Sequence, residues 1–152
     1  MTSTTTSNLV LFAYDGSELA KHAIEEAGRL LGDNARKALV VTLWQPLDVG
    51  FLPVGGFHFE PKQLADLTKA AEETAAAGAS LANAAGFQAQ SLAIKGGPAW
   101  VAIVELADEH DASLIVLGSH GRTGLAGVLV GSVASSVAAH SRRSVLMVHS
   151  TT

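Results

Sequence analysis

The sequence predicts an α/β domain, a parallel sheet covered by helices on both faces, and three observations predict it. Short apolar runs alternate along the chain with longer stretches whose apolar residues recur at helical spacing. Most of the short runs are continuously apolar rather than alternating, as strands buried on both faces are. At 152 residues, with 48% hydrophobic and 16% charged residues, the chain has the size and composition of one folded domain.

The elements follow in order. Residues 1–8 read as a disordered tail, Thr- and Ser-rich from Met1 to Ser7, without the basic and apolar regions of a signal peptide. The single domain spans 9–150. Leu9 to Tyr14 is an apolar run ending at Asp15-Gly16-Ser17, a buried strand followed by a turn and a helix N-cap candidate. From Ser17 to Leu31, Ala20, Ala23, Ile24, Ala27, Leu30 and Leu31 recur at helical spacing, and Gly32-Asp33-Asn34 stops the helix. Ala38 to Trp44 is a second buried strand. Residues 45–60 hold two prolines and three glycines without a period, a long loop of the kind that carries function or motion.

Pro61 suits the first turn of a helix that runs to about Ala85, with Leu64, Leu67, Ala71, Ala75 and Leu81 inward. Phe87 to Ile94 alternates weakly, Gln88 and Gln90 on one face, as an exposed edge strand does. Gly96-Gly97-Pro98 leads into a helix with Trp100, Ile103, Val104 and Ala107 on one side. Leu114 to Leu117 is a buried strand. The glycine-rich stretch from Gly118 follows, then a helix from about Ser132 to His140 and a last strand from Ser144 to His149.

Charge and composition exclude several classes. The net charge is −4 and the ten Lys and Arg residues are scattered, whereas a nucleic-acid protein clusters them on one face. With no cysteine there are neither disulfides nor thiolate metal sites. No apolar run reaches the roughly 20 residues of a membrane span. A soluble cytoplasmic protein is expected.

The chemistry concentrates in "GSHGRTGLAGVLVGS", Gly118 to Ser132. A Walker A loop needs a Gly-Lys pair, and none exists. A Rossmann fingerprint needs G-x-G-x-x-G straight after the first strand, where Asp15-Gly16-Ser17 stands instead. Yet Gly118 closes a buried strand at the end where open α/β sheets bind ligands, and Gly131-Ser132 opens a helix whose free N–H groups suit a phosphate. A plain connecting loop with packing glycines would look the same.

The chain from about Leu9 to Val148 resembles the universal stress proteins. Gly118, Gly121, Gly131 and Ser132 match the pattern G-x2-G-x9-G-[ST] of that family's nucleotide-binding members. "LIVLGSHGRTG", "GSVASSV" and "VLFAYDGSELAKHAI" resemble its most recognisable segments. The resemblance implies a five-stranded sheet of order 3-2-1-4-5, with a ligand crevice between strands one and four. On that order the Asp15 turn and the Gly118 loop face each other across the topological switch point.

Residue by residue, the resemblance implies that backbone at Gly118, Gly121, Gly131 and Ser132 cradles the phosphates of ATP. The Ser132 hydroxyl and Val133 N–H would add donors. Asp15 would contact ribose or a metal-bound water, and Ala13 and Leu43 would hold adenine. Asp15 reads equally as a turn or cap residue, and Leu43 as core. Arg122 could pair with a phosphate or stand in solvent, and His120 could bond the ligand or serve structure.

No protein-ligated metal site is expected. Mg²⁺ or Mn²⁺ would arrive on the nucleotide's phosphates. The chain departs from the family at Arg142-Arg143-Ser144, where proline is frequent, and at Ser113, where an acidic residue is common. No general base stands out, so the implied function is an ATP-binding stress sensor or regulator with at most slow hydrolysis and an unknown protein partner. A slow ATPase or autophosphorylating enzyme, and a ligand-free interaction module, are the alternatives. The uncharged apolar strand from Ser144 to His149, together with the resemblance, predicts a homodimer through that edge.

Overall fold

The computed structural model describes residues 7–32, 36–44, 61–120 and 130–150. Its nine elements run β1 (Leu9–Ala13), α1 (Glu18–Leu31), β2 (Lys37–Trp44), α2 (Pro61–Ala84), β3 (Gln88–Lys95), α3 (Ala99–Glu109), β4 (Leu114–Gly118), α4 (Ser132–His140) and β5 (Ser144–Val148). The strands form one parallel sheet of order β3-β2-β1-β4-β5. Both the alternation and the order agree with the expectation from sequence.

The chain crosses over after β3, because β1 already has β2 on one side and β4 takes the other. Parallel strands require such crossovers, and here helices supply them. Phe12 pairs with Val116 and Ala13 with Val41, so the C-terminal ends of β1 and β4 open side by side at one edge of the sheet.

Two cores explain why β1 and β4 are continuously apolar. On one face Val10, Phe12, Val40 and Val116 pack with α1 and α2, and the Phe12 ring meets Phe87 edge-on at 5.1 Å. On the other, Leu11, Val41, Ile115 and Leu117 pack against Ile103, Leu106 and Ala107 of α3 and Ala134 and Val137 of α4. Successive side chains of one strand enter opposite cores.

Local chemistry sets the boundaries. The Ser17 side chain caps α1 by accepting from the Ala20 N–H at 3.2 Å. Gly32 ends α1 at φ +71, a left-handed conformation glycine tolerates. The structure also revises the inward faces. Leu30 is 53% exposed, whereas Leu31 packs against the core as expected. In α2 the buried face is Ala71, Ala75, Gly78, Ala79 and Ala82, with Leu64, Leu67 and Leu81 only half-buried. Val104 is likewise half-buried, and Leu106 takes the buried position.

Arg143 ties the α3 exit to the start of β5. Its guanidinium donates to Asp108 at 2.9 Å, to Asp111 at 2.7 Å and to the Ala112 carbonyl at 3.2 Å. The bonds to Asp111 and then Asp108 hold it above the usual arginine range.

Candidate functional site

The end of β1 leads directly into the site. Tyr14 lies just beyond the strand, and its N–H still reaches the Val41 carbonyl at 2.9 Å. Gly16 then turns the chain at φ +82. The half-buried Asp15 accepts the Ser17 N–H at 2.9 Å through Oδ1, a side-chain turn that feeds into the α1 cap. The turn role foreseen for Asp15 is therefore occupied by one carboxylate oxygen.

On the facing strand, Gly118 closes β4. A Cβ there would stand 2.9 Å from Cγ of Leu19, so this glycine makes room for α1. Ser119 is fully buried, its N–H on the Val148 carbonyl at 2.8 Å and its hydroxyl 3.3 Å from Nδ1 of His120. Its sequence signal is faint, a small polar residue continuing an apolar strand. Gly121 and Arg122 lie outside the described residues.

The chain returns at Val130. Gly131 is the N-cap of α4, its N–H bonded to the Ser119 carbonyl. Its φ of −75 suits any residue, but a Cβ would lie 3.3 Å from Cα of His120 and 3.4 Å from the Ser119 oxygen. Close approach, not left-handed backbone, is what glycine provides here. Ser132 and Val133 open the helix and are exposed. First-turn N–H groups have no carbonyl within the helix to bond, and the N-cap Gly131 has no side chain to cap them.

Ala13 and Leu43 stand at the same end of the sheet, both half-buried, and both pack onto the α3–α4 core. Ile94, Trp100 and Val130 pack onto that core with them, and the sequence reading did not single out Ile94 or Val130. On the α1 side, Glu18, Leu19, His22, His120 and Ser150 line an open depression. Glu18 pairs there with Lys21 at 3.1 Å, and that hydrogen bond holds the Lys21 ammonium above its ordinary value.

The structure thus gathers Ala13, Asp15, Leu43, Gly118, Gly131, Ser132 and Val133 at the C-terminal edge of the sheet. Chemically, this edge offers an anion the positive end of α4 and its main-chain donors. It offers a flat apolar group the surface around Leu43, and a hydroxyl the Asp15 carboxylate. A phosphate-bearing ligand fits this donor set. Among the described residues no three His, Asp or Glu side chains group as metal ligands, and no helix is long and apolar enough to cross a membrane.

Comparison with known proteins agrees with the architecture. The universal stress protein family model matches residues 7–149. The chain is 29% identical over 142 residues to the universal stress protein Rv1636 of Mycobacterium tuberculosis, covering 93% of this chain and 96% of the relative. The structure of the hypothetical protein MJ0577, of Methanocaldococcus jannaschii, superposes with a TM-score of 0.74 at 22% identity, covering 95% of this chain and 96% of that one. A universal stress protein crystallised in complex with cAMP superposes with a TM-score of 0.69 at 29% identity, covering 95% and 99%.

Proposed function

The chain belongs to the universal stress protein family, and from that premise we propose that it binds ATP at the β1–β4 crevice and acts as a stress-response sensor or regulator. The observation that carries the reading is the packing of the Gly131 N-cap against the Ser119–His120 backbone at the open end of the sheet. Phosphates would lie on the first turn of α4, held by Ser132, by the Val133 N–H and by the glycine backbone. Asp15 would hold ribose or a water on Mg²⁺ or Mn²⁺. Ala13 and Leu43 would flank adenine. Gly121 and Arg122, which lie outside the described residues, would complete the cradle on the sequence pattern alone.

Hydrolysis would be slow. Phosphoryl transfer needs a positioned water and an electrostatic clamp, and Asp15 is already committed to the turn through one oxygen. The cAMP complex of the 29%-identical neighbour favours a second reading, an adenosine monophosphate, cyclic or linear, in the same crevice.

Denaturing the purified protein and identifying any released nucleotide tests both readings, followed by isothermal titration with ATP, AMP and cAMP. ATP binding with little ADP release over many turnovers supports the sensor. Preference for cAMP or AMP moves the assignment to the second reading. Failure of all three to bind overturns both. Rapid turnover would make the protein an enzyme instead.

A further inference from the structure

Among the described residues the buried side chains outside the hydrophobic and aromatic set are Thr42 and Ser119, and both stand at the ligand end of the sheet. Ser119 belongs to the β4 loop already described. Thr42 sits in the otherwise apolar body of β2, 6% exposed, and donates its hydroxyl to the Tyr14 carbonyl at 2.9 Å. A buried hydroxyl is costly unless bonded, and a valine would meet the strand's need for shape. The place where this bond lands explains the threonine.

The last ladder pair between β1 and β2 is Ala13 with Val41. Tyr14 is therefore the first residue past the last paired position, and both its backbone and its ring are held. Its N–H reaches the Val41 carbonyl, and its own carbonyl accepts from Thr42. Its ring lies where a Cβ on Gly78 of α2 would stand 2.5 Å from Cδ1. The Tyr14 carbonyl and the Asp15 N–H share one planar peptide, so orienting the first orients the second. From there Asp15 bonds the Ser17 N–H, and Ser17 caps α1.

We infer that Thr42 is a positioning residue of the nucleotide site, acting through the Tyr14 carbonyl to aim the Asp15 carboxylate. The inference rests on the reading of Asp15 as a ribose or metal-water contact. Thr42 touches no ligand itself. It fixes the peptide plane from which Asp15 departs.

The test compares ATP affinity, with magnesium present, in the intact protein and in Thr42→Val, Thr42→Ser, Asp15→Ala and the Thr42→Val/Asp15→Ala double variant. Losing one neutral hydrogen bond should make Thr42→Val bind about threefold to tenfold more weakly. Thr42→Ser keeps the hydroxyl and should stay within about twofold of the unmodified chain. If Thr42 acts through Asp15, Thr42→Val should change affinity by less than about twofold once Asp15 is alanine. Unchanged affinity in Thr42→Val, equal losses in valine and serine, or the same loss in both backgrounds overturns the inference and leaves the function standing. An unmodified protein that binds no adenine nucleotide overturns the function, and the inference with it.

Discussion

Gly131 owes its identity to a neighbour rather than to its own torsion angles. At φ −75 a side chain is permitted, but a Cβ would stand 3.3 Å from Cα of His120, a tight contact that a branched side chain makes only by pushing that backbone aside. Gly131→Val should abolish ATP binding while the fold survives, because the collision lies at the loop and not in either core. Isothermal titration with unchanged affinity would refute the assignment. Asp15→Ala should weaken binding by about 1–3 kcal/mol, the range for a charge-assisted hydrogen bond. A variant that melts earlier yet binds ATP normally would reduce Asp15 to its turn with Ser17. The spacing of Gly118, Gly121, Gly131 and Ser132 is legible in the sequence, but the causes behind it are not. Gly118 is small because of Leu19, a residue far away in the chain, and only the packing of α1 over β4 reveals it.

Elements were legible where chemistry punctuates the chain. Ser17, Gly32 and Pro61 mark helix ends through local hydrogen bonds and fixed torsions, which adjacent residues determine. Inward faces were less legible, because they depend on what each helix meets. The sequence places Leu64, Leu67, Ala71, Ala75 and Leu81 inward on α2; the helix does press on the sheet through Ala71 and Ala75, joined by Gly78 and Ala79, but Leu64 and Leu67 are only half-buried. The reason is the Tyr14 ring, which with Val40 fills the space opposite Gly78. A methyl at that point must displace the ring or the helix. Gly78→Ala should therefore destabilise the protein by about 1–3 kcal/mol, although alanine favours the helix. Denaturant unfolding that leaves the midpoint in place, or raises it, would contradict this packing.

At the scale of the whole molecule, the order β3-β2-β1-β4-β5 leaves two edges, and they differ in kind. β3 exposes Gln88, Gln90 and Ser91 and ends in Lys95, whose ammonium stands 5.9 Å from the Trp44 ring centroid. Such an edge tolerates water. β5 carries Val145, Leu146, Met147 and Val148 with no charge or proline among them. The two cores account for part of that pattern, since Leu146 and Val148 face α1 while Val145 and Met147 face the α3–α4 core. Yet Val145, Leu146 and Met147 remain half-exposed, beside an outer row of backbone groups that no strand among the described residues pairs. An apolar edge of this kind invites a second strand. We propose that two copies pair their β5 strands antiparallel about a two-fold axis, satisfying the backbone groups and covering the side chains. Light scattering at micromolar concentration should give twice the mass of one chain. Met147→Pro removes one backbone donor from this edge and should shift the mass toward the monomer. A single-chain mass for the unmodified protein, unchanged by ATP and magnesium, would rule the assembly out.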